Sequence, residues 1–439
     1  MSRRTPETDA ATPPPAPRWR ASVLLSSPHR LCFLAAGAQW VLSASWWVAA
    51  LLTGADGRFA LDVVPASAWH GLWFSLGAMP LFVAGFLFTA GPRWLHTTTV
   101  DARQLGTGIG LFSAGWLLAL PFSWLDHRAM AAMLFLAAVG QLLLVARAWG
   151  LLRLGRRGER LHAGLITLAM AAMALTLSAA ALAIAVSRIE WLLPLARAGL
   201  WCGPVLVFLA ASHRMLPFLG DGLWPALDRR WPNWPLWLLA SLVPAQAANA
   251  LSAGGVASPV WWPALRFGHL AVVCAASAGL ILRWVGHPAM RTAMLRMLFG
   301  AALWWVTALA LATAAAFPGL HDAWARTLEL AGLHALGMGY LGGTLLTMAT
   351  RVSATHQGRA RAIDGIARWL YAALQMALVA RLSALVNPNE GHLWLPAAAM
   401  MWGVVAGGWL LQHGRWLGQA PAVRGPLPRR SVIAIHDKP

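Results

Sequence analysis

Apolar residues along this chain come in long runs separated by short arginine-bearing breaks. The runs fall at roughly 31–53, 68–91, 105–125, 129–152, 161–187, 192–216, 234–252, 261–285, 293–316, 324–350, 367–386 and 393–412. Each is near the ~20 residues that cross a bilayer as a helix. Hydrocarbon offers no partner to a free backbone N–H or C=O, so such spans are expected to be helical. The pattern predicts an all-α, polytopic transmembrane bundle of about twelve spans over residues 31–413. The short break at 125–128 predicts a tight hairpin between the third and fourth spans. Residues 1–30, beginning MSRRTPETDAATPPPAPRWR, hold no apolar core before Leu31 and read as a disordered cytoplasmic tail, with 414–439 as a second cytoplasmic tail.

Composition narrows the class. The chain is 59% hydrophobic and 11% charged with a mean hydropathy of +0.59, which leaves no soluble domain. A net charge of +19 suggests nucleic acid in a soluble protein, but here the arginines lie between apolar runs and report topology instead, so no nucleic-acid partner is expected. They crowd the N-terminal tail and the breaks after the even-numbered runs: Arg153, Arg156, Arg157 and Arg160, then Arg214, Arg229 and Arg230, then Arg283 and Arg291, then Arg351, Arg359 and Arg361. The alternate breaks carry Arg58, Arg128, Arg188 and Arg326, mostly beside an acid. The positive-inside rule then puts both termini in the cytoplasm. Trp46, Trp69, Trp94, Trp231, Trp234, Trp261 and Trp394 fall near run ends, as an interfacial belt would. Cys32, Cys202 and Cys274 are far apart in apolar sequence and form no framework.

The histidines sort by depth. His334 lies about ten residues inside an apolar run, near mid-membrane at ~1.5 Å per residue. His269 lies about eight residues into the eighth run, and His70 opens the second on the outer side. An ionisable side chain at that depth needs a partner, and these three are candidates to converge. Neutral imidazole is a ligand for haem iron and copper, and a dry helix bundle suits a porphyrin. Met338, four residues after His334, shares its helix face and adds a thioether that suits copper. Gly332, Gly337, Gly339, Gly342 and Gly343 make the same span thin enough for a neighbouring helix or a flat cofactor to approach. Gln39, Gln141, Gln246, Asn249 and Gln375 are expected to bond between helices. No Asp or Glu stands out inside a run, which weighs against an ion-coupled carrier. No P-loop, HExxH or Ser-His-Asp pattern is present.

Three stretches carry a family resemblance. Trp69-His70, followed by Ala84 to Trp94 (AGFLFTAGPRW), resembles the second span of the NnrS family, with its WHxHE and AGFLLTAxPNW. His334-Ala335-Leu336, then Met348 to Ser353 (MATRVS), His356 and Gly358-Arg359 resemble its HALxxGxxGxMxLxxMTRxSLGHTGR. Arg214 to Phe218 (RMLPF) is similar to its RxxPFF. The matches stand in order along the whole chain. The resemblance implies a twelve-span protein of the bacterial inner membrane that binds haem and copper and is tied to nitric oxide metabolism and resistance to nitrosative stress. It assigns no reaction. Carried over by position, His70, His334 and His356 fall on motif histidines, and Arg214 and Arg351 on motif arginines suited to haem propionates. The cofactor-binding candidates are thus His70, His334, His269, Arg351 and Arg214, and the metal candidates His70, His334, His356 and Met338.

Two departures cut across this. The second histidine and the glutamate of WHxHE are replaced by Leu72 and Trp73. The ninth run, LFGAALWW at 298–305, holds no histidine. The chain therefore either keeps a haem alone or is a cofactor-free relative. Two other classes stay open: a transporter whose histidines line a path, and an assembly partner of respiratory enzymes.

Overall fold

A computed structural model describes residues 18–54, 64–123, 126–155, 160–219, 232–359 and 363–420. Most of both tails, Arg58, Arg156, Arg157, Arg229, Arg230, Arg361, Trp231 and the side chains of Pro217 and Phe218 lie outside the described residues. Within them all regular structure is helical.

The chain opens with α1 (Pro28–Thr53), which starts ahead of residue 31 and takes in His29 and Arg30. The second span is broken into α2 (Ala66–Leu76) and α3 (Met79–Leu95). Pro80 lacks the N–H that would bond the Leu76 carbonyl, so the helix cannot run through. Next come α4 (Gly106–Ser123), α5 (His127–Leu154) and α6 (Arg160–Ala185). A π turn at Trp201–Val205 joins α7 (Leu192–Leu200) to α8 (Leu206–Leu219). The chain continues through α9 (Trp234–Ala240), α10 (Leu242–Ser252), α11 (Trp262–Leu282) and α12 (Ala293–Ala315). Then α13 (Asp322–His334) passes through a π segment, Ala335–Gly342, into α14 (Gly343–His356). The last helices are α15 (Gly365–Val386) and α16 (Gly391–Leu417).

Ten helices among the described residues are long and apolar enough to cross a membrane. The other two runs, at 234–252 and 324–350, fold as the interrupted pairs α9–α10 and α13–α14. In the first, Pro244 removes the donor for the Ala240 carbonyl, and Ser241 Oγ turns back to Leu238 O at 2.7 Å.

Small residues decide how closely these helices pack. A Cβ on Gly115 would run into the backbone of Ala137, and one on Gly140 into that of Phe112, so α4 and α5 lie with their backbones in contact. The amide side chains bridge helices as expected: Gln39 accepts from Trp73 Nε1 at 3.1 Å, Gln141 donates to Met170 O at 3.3 Å, and Gln375 accepts from Trp304 Nε1 at 2.6 Å. Arg30 is buried and donates to the carbonyls of Trp416 at 3.2 Å, Leu417 at 2.7 Å and Gln419 at 2.8 Å. It thereby supplies donors to carbonyls that the last helix leaves open at its C-terminus.

The tryptophan belt needs correction. Trp234, Trp261 and Trp394 are exposed, but Trp46 and Trp69 belong to the buried core. Trp69 and Trp73 pack on Trp116, the Trp73 and Trp116 rings stacking 5.9 Å apart at 7°. A run end in sequence need not be a helix end at the membrane surface when the chain turns inward there.

Gly140→Leu is expected to lower the apparent melting temperature in detergent through ~1–3 kcal/mol of overpacking, whereas Gly110→Leu, where a Cβ meets nothing within 4 Å, should leave it unchanged.

Candidate functional site

His334 is the last residue of α13, at the joint where the helix loosens from α to π geometry. Its Nδ1 stands 2.8 Å from the Leu330 carbonyl. A carbonyl only accepts, so Nδ1 carries the proton and Nε2 keeps the lone pair. Arg381 Nε, from α15, donates to that Nε2 at 3.1 Å. Both nitrogens of the ring are thus satisfied, one by its own helix and one by another.

The π segment shapes what lies beside the ring. Gly339 faces the Trp304 side chain and Gly342 faces Trp402, so two of its sides are closely packed. Gly337 faces a cavity, and a Cβ there would meet nothing within 4 Å. That cavity has a volume of about 430 Å³ and is also lined by His70, Arg197, His334, Met338 and Arg381. The volume falls in the ~300–1,000 Å³ range of small-molecule sites. His70, on α2, is gripped by aromatic faces: it stacks on Trp47 at 4.2 Å and 23° and lies 4.3 Å from Phe74. Its Nδ1 is buried without a hydrogen-bond partner, a costly state that a ligand or a water would relieve. Among the described residues lining the cavity there are two guanidiniums and no carboxylate.

The structure therefore brings His70, His334 and Met338 together and leaves the other candidates elsewhere. His269 bonds Ser241 Oγ through Nε2 at 2.8 Å and does not line the cavity. His356 packs on His29 with ring centroids 4.2 Å apart. Arg351 donates to Met294 Sδ at 3.3 Å, and Arg214 lies 6.0 Å from the centre of the Trp94 ring. Arg351 and His356 follow His334 by enough sequence to lie roughly 25 Å or more along the helix axis. One macrocycle at His334 cannot also reach them. The arginines of this cavity are Arg197 and Arg381, and counting arginines only by the breaks between runs passes over both. Their signal was position: each lies inside an apolar run, several residues from its ends.

The missing motif residues have a physical counterpart. Leu72 is fully buried, and Trp73 is held by Trp116 and Gln39. In the ninth run Trp305 donates to Ser277 Oγ at 3.1 Å and Trp304 to Gln375. Packed leucine and indole fill the positions where the resembling motif has other residues. Among the described residues no group of three or more His, Cys, Asp or Glu side chains is arranged to hold a metal ion.

The expectation of no acid inside a span is also corrected. Glu329 lies about two turns into α13 and pairs with Arg266 of α11 at 3.6 Å, with Asn249 Nδ2 at 3.4 Å from the same oxygen. This cluster lines a second, smaller cavity that shares Arg197 with the first.

Fold and site together define a polytopic helical membrane protein with a histidine- and arginine-lined cavity among its helices. The family described as NnrS protein matches residues 23–420, and the chain belongs to it. Comparison with curated proteins and with solved structures finds no match.

Removing Glu329 strands the Arg266 charge. Glu329→Ala should cost roughly 1–3 kcal/mol, less than the ~3–5 of a fully buried pair because the carboxylate is 32% exposed. The apparent melting temperature of purified protein reads this, and Glu329→Gln should recover part of the loss.

Proposed function

We propose that the protein binds haem in the cavity shared by His70 and His334, in the bacterial inner membrane with both termini cytoplasmic. Through that haem it would take part in nitric oxide metabolism or resistance to nitrosative stress. The observation that carries the reading is His334: the Leu330 carbonyl fixes its tautomer and aims its one lone pair across the helix interface. A second-sphere bond to Nδ1–H orients an imidazole and makes it a better ligand. Gly337 and Gly71 keep the lining low, and Arg197 and Arg381 offer charge to an anionic edge with no acid to compete among the described lining. Bound haem supplies an iron that takes a small diatomic ligand such as nitric oxide.

His334 is the proposed iron ligand, and His70 a second ligand or a neighbour of the bound gas. Arg351 and Arg214 have no part in this cavity, and His269 none in the ligand set. The copper proposal is narrower. With His334 on iron, the cavity leaves His70 and Met338 as imidazole and thioether donors.

One observation favours a second reading. Glu329 beside Arg266 supplies the intramembrane carboxylate that a coupled carrier needs, so a transporter with histidines along its path is the competing class.

Absorption spectra of the detergent-purified protein, oxidised and reduced, with iron and copper quantified on the same sample, separate the two. Near one haem per chain is expected, with a Soret band that shifts on adding nitric oxide and is lost in His334→Ala. Protein from haem-replete cells with neither Soret band nor bound metal would overturn the haem reading and leave the transporter in front.

A further inference from the structure

Arg381 is an unusual partner for a histidine. Most buried guanidiniums find a carboxylate, yet this one donates Nε–H to the lone pair of a neutral imidazole. No acid is available among the described residues that line its cavity, and the other cation there, Arg197, offers only repulsion. A charge taken out of water with only a neutral acceptor is held at a cost, and an anion entering the cavity is a better partner for it.

The second half of the argument is stereochemical. His334 has one lone pair, because its Nδ1 proton is committed to Leu330 O at 2.8 Å. A guanidinium and a metal cannot share that lone pair. Ligation by His334 therefore breaks the Arg381 hydrogen bond and leaves the guanidinium free at the cavity wall. A bare divalent ion would face that freed charge and Arg197 with nothing to offset either. A metal complex that brings its own carboxylates offers each of them an acceptor.

We propose that Arg381 is an exchange residue, which bonds His334 Nε2 until a metal takes that nitrogen and then passes to a carboxylate of the same complex. The cavity thereby selects anionic metal complexes over bare ions and over complexes without acid groups. This rests on the haem reading above and adds to it a filter on the ligand. The exchange moves no protons: Arg381 keeps its Nε–H, His334 keeps its Nδ1–H, one hydrogen bond is lost, and a coordination bond and an ion pair form.

The test is a binding titration on the purified full-length chain, followed by absorption, with haemin and with haemin dimethyl ester, whose carboxyls are uncharged. Wild type should prefer the diacid by about tenfold or more, the worth of one charge-assisted hydrogen bond. Arg381→Leu should weaken diacid binding and tighten ester binding, because it removes the ion pair and the competitor for Nε2 together. Arg381→Gln, which can still donate to His334 but carries no charge, should lose the preference without tightening the ester, and it stands in if the leucine variant does not fold. Zn²⁺ alone, titrated by calorimetry, should bind Arg381→Leu more tightly than wild type. If both porphyrins bind wild type equally, or shift in the same direction in Arg381→Leu, the exchange is overturned and the haem reading stands. If neither porphyrin binds wild type, both fall.

Discussion

A ring nitrogen inside a membrane protein has no water to fall back on, and the site follows from how His334 meets that constraint. Its own helix takes the Nδ1 proton, which decides the tautomer, and the tautomer decides that Nε2 alone is available to anything else. Arg381 answers from another helix. The π segment that begins one residue later sets Gly337 against the cavity while Gly339 and Gly342 admit Trp304 and Trp402. A π turn within a helix is often a mark of function, and here it opens the wall beside Nε2.

The fold was legible because hydropathy alone counts spans in a bilayer. The twelve runs correspond to ten spans long and apolar enough to cross a membrane, one of them broken at Pro80, and two further interrupted pairs, the first broken at Pro244. Depth along a run likewise sufficed to single out His334 and His70, and helix spacing to add Met338. What sequence order could not give was adjacency. His334 and Arg381 lie on separate helices, and nothing in either run announces the other. Arginines were read as topology markers, a reading that has no place for Arg197, Arg266 and Arg381, which lie within the runs. Tryptophan misled for a related reason: Trp46 and Trp69 sit near run ends but face inward, where indole fills core volume.

Membership of the NnrS family and the loss of its WHxHE ending are reconciled by packing. Leu72 and Trp73 are interior residues, and Trp116 and Gln39 complement the Trp73 indole in shape and hydrogen bonding. Putting histidine and glutamate back at those two positions would therefore bury polar groups against an indole surface. Both positions are core on the same helix that presents His70.

Arg30 has a consequence for how the chain comes to be finished. Its guanidinium enters the protein interior with the first helix, but the carbonyls that receive it belong to residues 416–419 and are made last. Its side-chain acceptor, Gln357 Oε1 at 3.5 Å, also comes from late in the chain. The packing of α1 on α16 can form only after the final helix has been made. A chain that lacks residues 416–419 has none of those three carbonyl acceptors, and of the acceptors described Arg30 then keeps Gln357 Oε1.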